Sequence, residues 1–96
     1  MASVTLSKPL DVNGAPLAAV TLNLDALTGA DVELAAREAQ IAGGGGPIAV
    51  LSLDPGFHLQ LAACASGLDV ATLRKLGARD YLAVVQAVQG FLFGTD

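Results

Sequence analysis

The chain has 96 residues, of which 53% are hydrophobic but only 4% aromatic, so we expect one domain, residues 1–96, with a modest core of Ala, Leu and Val. Nine acidic and five basic residues give a net charge of -4, which opposes nonspecific attraction to nucleic acid or to an anionic membrane. No secretion signal is recognisable, no apolar run approaches the roughly 18 residues of a membrane span, and one cysteine forms no internal disulfide. These features predict a cytoplasmic protein.

The first predicted element is a β-hairpin over residues 1–25. Apolar and polar residues alternate on both sides of Asn13-Gly14, a pair typical of two-residue hairpin turns. Pro9 and Pro16 are predicted to confine strand pairing to the outer parts. A two-stranded hairpin is marginal alone in water, so its apolar face needs a packing partner. That face consists of Val4, Leu6, Val20, Leu22 and Leu24.

The second predicted element is an α-helix over residues 28–42. Thr28 is a suitable N-cap, and Glu33 and Arg37 are spaced for an exposed pair one turn apart. The apolar residues recur near the helical period, which predicts an amphipathic helix with one buried face. The predicted buried stripe is Leu27, Ala30, Leu34 and Ile41.

A glycine-rich linker is predicted at residues 43–47. Four glycines disfavour any helix, and Pro47 disfavours helix in the residue before it. A phosphate-binding loop would end in Lys-Ser or Lys-Thr, whereas Pro47 and Ile48 follow here. Periodicity alone does not assign the apolar run that follows, and we expect no regular strand there.

The third segment, residues 54–93, is predicted to be helical. Asp54-Pro55 supplies an N-cap and a first-turn proline, and Gly67 is predicted to end the helix because glycine is favoured after the last helical residue. The predicted inner stripe of this helix is Phe57, Leu61 and Cys64.

Two further helices complete the chain. Asp69 caps a short helix that ends at Gly77, and a longer helix runs from about Arg79 to Leu92. The fold class is therefore α+β, an N-terminal antiparallel β-hairpin packed on about four short α-helices. The predicted inward residues are Leu73 and Leu76, then Tyr81, Val84, Val85, Val88 and Leu92.

No catalytic, cofactor-binding or metal-binding constellation is recognisable, so the protein is predicted not to be an enzyme and to need no cofactor. His58 is the single histidine and lies far in sequence from any second ligand; we expect it at or near the surface, with Cys64 in the core. Neither Ser-x-x-Lys nor Gly-x-Ser-x-Gly occurs. The carboxylates gather at helix starts, where they stabilise backbone N–H groups: Asp25, Asp31, Glu33, Asp54, Asp69 and Asp80.

A helix-turn-helix DNA-binding regulator is one alternative. The segment "LAACASGLDVATLRKL" has the small residues and the glycine turn of that motif. Its second helix, however, begins with Asp69 and offers no Arg, Lys, Asn or Gln before Arg74, so it lacks base-reading side chains. A structural or adaptor protein of unknown partner is the other alternative.

Three segments carry a resemblance to a known family. They are "VTLSKPLDVNGAPLAAVTLNLDALTGAD", "LAACASGL" and "LGARDYLAVVQAVQGFL". In this order they resemble the tail assembly chaperones of myoviral phages and Mu-like prophages, the E/41/14 group. The chain departs from shorter members in its glycine linker and in "PIAVLSLDPGF".

The resemblance implies a non-enzymatic protein of the bacterial host cytoplasm. Such a chaperone binds the tape measure protein and keeps it soluble until tail tube subunits polymerise around it. In many such phages a ribosomal frameshift yields a longer product that engages the tube subunits. An edge of the hairpin could also pair with another copy, so self-association is a further expectation.

The predicted partner-binding surface is the last helix and its tail. The sequence "GFLFGTD" places three large apolar residues together, and an exposed apolar cluster needs a partner. Alternatively, Leu92 and one phenylalanine close the core. The predicted contact residues are Tyr81, Val84, Val88, Phe91 and Phe93.

Overall fold

The structure, a computed structural model, describes residues 2–42 and 54–94, so the predicted linker 43–47 and the apolar run 48–53 lie outside the described residues. The α+β prediction is confirmed: an antiparallel hairpin precedes four helices in the described ranges. The elements are β1 (Ala2–Val12), β2 (Ala15–Leu22), a 3₁₀ turn (Leu24–Ala26), α1 (Gly29–Ala42), α2 (Pro55–Ser66), α3 (Val70–Leu73) and α4 (Ala78–Phe93).

The hairpin turns at Asn13 and Gly14, as predicted. Their φ angles are 52° and 85°, and a two-residue turn that matches the strand twist needs positive φ at both positions. Strand pairing occurs in two blocks, with residues 2–5 opposite 19–22 and residues 10–12 opposite 15–17. Between them, residues 6–9 of β1 lie opposite Ala18 alone, and we call residues 6–9 the β1 bulge.

The bulge corrects the prediction for the two prolines. Pairing is interrupted in the middle of the hairpin, where Pro9 lies, and it resumes next to the turn. Pro16 pairs opposite Asp11 within this inner block. Within residues 2–42 and 54–94 the sheet has two strands, so each is an edge strand there, in which a proline is tolerated.

The hairpin packs on α2 and α4, which supply the surface that its apolar face requires. The chain leaves β2 through a backbone hydrogen bond from Asn23 N–H to the carbonyl oxygen of Ala65, at 3.0 Å. One contiguous core therefore joins both halves of the chain. Its fully buried large residues include Val20, Leu22, Leu59, Leu61, Leu73, Val84 and Val88.

Helix α1 turns a different face inward from the predicted one. Ala35 and Ala39 are buried, whereas Leu34 is 48% exposed and Ile41 is 62% exposed, so the predicted leucine-isoleucine stripe is wrong. Helix α1 packs against α2, and the small alanine side chains let the two helices approach closely. The predicted N-cap is correct, because the hydroxyl of Thr28 accepts a hydrogen bond from Asp31 N–H at 3.3 Å.

The caps of α2 and α3 agree with the sequence prediction. The Asp54 carboxylate accepts a hydrogen bond from Phe57 N–H at 2.9 Å, and Asp69 accepts one from Thr72 N–H at 2.9 Å. Gly67 follows α2 in the left-handed conformation, with φ 78°. These local signals set the helix ends because each satisfies a backbone group that the helix leaves unpaired.

Two residues of α2, His58 and Cys64, differ from the prediction in their exposure to solvent. His58 is 1% exposed and Cys64 is exposed, the reverse of the expected surface histidine and core cysteine. Helix α2 contacts α1, α3, α4 and β2, so it is covered on several sides rather than along one stripe. A stripe drawn from periodicity therefore misplaces both residues.

The last two helices follow the prediction except at the end of α3, which lies at Leu73 and not at the predicted stop Gly77. Leu73 and Leu76 are buried, and α4 begins at Ala78, one residue before the expected start. Tyr81 and Leu92 are partly buried against the core. The inner face of α4 is formed by Val84, Val85 and Val88.

Candidate partner-binding surface

The outer face of α4 carries an uncharged stripe. Leu82 is 54% exposed and Phe93 is 50% exposed, and residues 81–93 contain no Asp, Glu, Lys or Arg. Positions 82, 86, 89 and 93 follow one another at three- and four-residue steps, so they share one side of the helix. We call Leu82, Gln86, Gln89 and Phe93 the α4 stripe.

The structure divides the five predicted contact residues. Val84 and Val88 have no exposed surface and belong to the core, so they are not accessible to a partner in this conformation. Tyr81 and Phe91 are partly buried against the core, and Phe93 is half exposed. Partner binding by these residues stays a prediction, with Phe93 as its accessible member.

Leu82 is absent from the predicted set although it is more exposed than Phe93. The sequence spacing does indicate Leu82 as a contact residue. It lies eleven residues before Phe93, which places both side chains on the same helix face. The prediction instead took the valines of the same helix. Periodicity shows that a helix has two faces, and the placement of the hairpin decides which of them is covered.

A second exposed apolar pair lies on α1. Leu34 and Ile41 are seven residues apart and share a helix face. Exposed Arg37 and Glu38 lie between them along the chain, so charged groups interrupt this face. The α4 stripe is the larger uncharged surface of the two helices.

Asp80 fixes the start of α4 against the hairpin. Its side chain is almost fully covered, 4% exposed, and accepts hydrogen bonds from Ser7 N–H at 2.9 Å, from the Ser7 hydroxyl at 3.1 Å and from Lys8 N–H at 3.4 Å. The Ser7 N–H group, together with the Ser7 hydroxyl and the Lys8 N–H, lowers the pKa of Asp80. The β1 bulge would otherwise leave these backbone donors without a strand partner, so Asp80 holds the bulge and α4 together.

Cys64 has the features of an unreactive thiol. Partial burial, and secondarily the charge of Asp31, raise the pKa of Cys64 above its usual 9.0. The nucleophile in thiol chemistry is the thiolate, which a raised pKa makes scarcer at neutral pH. An exposed cysteine in this setting is not a candidate catalytic group.

We expect Cys64 in the folded protein to react with iodoacetamide at pH 8 more slowly than Cys64 in the urea-unfolded chain. The raised pKa reduces the thiolate fraction only while the fold is intact. Alkylation followed over time by intact-mass spectrometry measures both rates. Equal rates, or a faster folded rate, would contradict this account of the thiol.

The region that resembles a helix-turn-helix lacks a recognition helix at the expected place. Helix α3 comprises four residues, Val70–Leu73, which is about one turn and too short to cross a major groove. Its N-cap is Asp69, an acidic group at the end that would face DNA. The geometry of α2 and α3 is that of two packed helices joined by a glycine turn.

Within residues 2–42 and 54–94, His, Cys, Asp and Glu side chains form no cluster suited to a metal ion. Among the same residues, no helix combines the length and apolar character that crossing a membrane requires.

Comparison with known proteins identifies the family. Comparisons with curated proteins and with solved structures give no significant match. A family model described as phage tail assembly chaperone proteins, E, or 41 or 14, matches residues 3–92, which cover both strands and the four described helices except for Ala2 at the start of β1 and Phe93 at the end of α4. The chain belongs to this family of phage tail assembly chaperones.

Proposed function

We propose that this protein binds the tape measure protein of its phage or prophage and keeps it soluble until the tail tube polymerises around it. Membership of the tail assembly chaperone family supports a tail-related protein partner. The α4 stripe is the observation that supports a particular binding surface. Its leucine and its phenylalanine are about half exposed, and they lie on a helix face without charged side chains. Such a face suits an amphipathic helix of a long helical partner.

The size of the α4 stripe implies weak binding by each copy. Covering the exposed halves of one leucine and one phenylalanine contributes roughly 1 kcal/mol each, which is less than the cost of immobilising two separate molecules. A stable coat therefore needs many copies along one partner, or additional contacts from flanking residues. Weak single contacts also let the tube subunits displace the chaperone, as this role requires.

In this proposal the protein catalyses no reaction and acts in the cytoplasm of the bacterial host. A longer product made by ribosomal frameshifting would extend the chain beyond α4 and engage the tail tube subunits. The family supports a non-enzymatic role in tail assembly.

Co-expression with the tape measure protein from the same phage or prophage tests the proposal. We expect the soluble fraction of the tape measure protein to rise at least severalfold with this chain, and the two to purify together through a tag on either one. The matched control is an unrelated acidic protein of similar size, which excludes a general effect of expression load. An unchanged soluble fraction, without co-purification, would contradict the proposed function.

A further inference from the structure

The two edges of the sheet differ in how well they are protected from pairing with another chain. The β1 strand carries Lys8, Pro9 and Asp11, and its bulge is bonded by Asp80 through the backbone N–H groups of Ser7 and Lys8. Charges, prolines, bulges and a covering helix are the devices that keep an edge strand from pairing with another chain. The β1 edge has all four of them.

The β2 edge has fewer of these devices, although α2 also contacts this strand. The eight residues of β2 (APLAAVTL) include no charged side chain, and a proline occurs only near the hairpin turn. In the described parts of the chain, the strand neighbouring β2 is β1, so the second edge of β2 has no strand partner there. Beside this edge lies a cavity of about 220 Å³, lined by Leu17, Ala19, Val20, Thr21, Ser66 and Leu68.

We propose that β2 of one copy pairs antiparallel with β2 of a second copy, which joins two hairpins into a four-stranded sheet across a twofold axis. An antiparallel pairing of two identical strands is symmetric, so the same uncharged edge meets itself. The cavity between β2 and the turn after α2 provides room for an apolar side chain of the added strand.

Charge affects where two copies can meet, and the β2 edge is the less charged of the two strand edges. Each chain carries a net charge of -4, so two copies repel each other over much of their surface. At the β2 edge, two copies can approach each other without bringing charged side chains of the paired strands together. Pairing also satisfies outward-facing backbone groups of β2, and it extends the sheet, which has two strands in the described part of each copy.

A matched pair of double variants tests the pairing. Ala19→Lys with Thr21→Lys places two charges on β2, and Thr5→Lys with Ser3→Lys places the same two charges directly opposite them on β1. In reducing buffer, which removes cross-linking through exposed Cys64, sedimentation equilibrium should show a wild-type dimer. We expect the β2 variant to weaken dimerisation by about tenfold or more, and the β1 variant to leave it within about twofold.

Amide hydrogen exchange gives a second readout that does not depend on the register between copies. Amides of β2 should become more protected as the protein concentration rises through the dimerisation range, whereas amides of β1 should not. Circular dichroism verifies that both variants retain the fold. A wild-type protein that stays monomeric up to about millimolar concentration, or a β1 variant that dissociates as far as the β2 variant, would overturn the proposal. Neither measurement contains a tape measure protein, so its outcome is separate from that of the proposed function.

Discussion

Asp80→Asn should lower the melting temperature by several degrees, whereas Asp11→Asn on the exposed surface of β1 should leave it nearly unchanged. Both changes remove one negative charge, so net charge does not distinguish them. The two carboxylate oxygens of Asp80 accept bonds from the N–H groups of both Ser7 and Lys8. An asparagine has one oxygen, so its NH₂ group would face one of these donors and leave that donor unsatisfied. Thermal unfolding followed by circular dichroism measures the difference.

The same contact makes stability depend on pH. The Ser7 N–H, followed by the other donors of the bulge, lowers the pKa of Asp80 below its usual 3.8, so the folded state binds the proton more weakly than the unfolded state. The contribution of Asp80 is therefore complete above the unfolded pKa and is lost as the pH falls through the folded pKa. We expect the difference between the wild type and Asp80→Asn to shrink as the pH falls below about 4.

Asp69 provides an internal check on this pH profile. Its pKa is also lowered, mainly by the hydrogen bonds from Thr72, and it titrates in the same acid range. Both the wild type and Asp80→Asn keep Asp69, so its contribution cancels in the difference between them. A difference that is constant from pH 7 to pH 2 would contradict the assigned contact between Asp80 and the β1 bulge.

Replacing Leu82 and Phe93 together by glutamine should abolish most of the gain in tape measure solubility on co-expression. The change removes the two apolar side chains of the α4 stripe and keeps helix propensity and net charge. Since each copy contributes only a weak contact, loss of roughly 1 kcal/mol per side chain lowers affinity by about tenfold or more, and repetition along the partner multiplies the effect. The measurement is the ratio of soluble to insoluble tape measure protein.

The matched control is the replacement of Leu34 and Ile41 by glutamine. These two residues of α1 are exposed to a similar degree, 48% and 62%, and also lie on one helix face. We expect this variant to retain the solubilising effect. Equal loss in both variants would indicate a nonspecific hydrophobic effect, and full activity of the α4 variant would remove the α4 stripe as the contact surface.

Phe91 is unsuitable for the same test, although it belongs to the predicted contact set. It is partly buried and packs against the core, so its replacement by a polar residue would change stability as well as binding. Loss of solubilisation would then have two explanations. The exposed pair Leu82 and Phe93 avoids this ambiguity because neither residue belongs to the buried core.

The local signals in the sequence were sufficient for the order of the described elements and for most of their ends, the exception being α3, which ends at Leu73 and not at Gly77. The Asn13-Gly14 turn, the Asp54 cap with Pro55 and the Asp69 cap each depend on backbone geometry within three or four residues. Family resemblance was also readable from the chain, and the match over residues 3–92 confirms it. These features can be predicted without knowing which residues far apart in the sequence contact each other.

The buried faces of α1 and α2 were decided by tertiary packing, whereas the inward residues of α3 and α4 agree with the sequence prediction. Helix α1 turns Ala35 and Ala39 toward α2 and leaves Leu34 outside, because close approach of two backbones favours small side chains. Helix α2 is covered on several sides, which buries His58 and leaves Cys64 exposed. Hydrophobic periodicity ranks residues by their own polarity, whereas burial depends on the shape of the neighbouring element.

Asp80 combines one feature that the sequence predicts with another that only the tertiary structure shows. From the sequence alone it is an acidic residue near a helix start, where it complements the backbone dipole, and the structure retains it in the first turn of α4. Its partners Ser7 and Lys8 lie more than 70 positions earlier, in a bulge that the alternating pattern of β1 does not reveal. Composition, turns, caps and family were thus determined by the sequence by itself. The tertiary structure decided the buried faces of α1 and α2, the bulge and the exposed α4 stripe, because each depends on contacts between residues far apart in the chain.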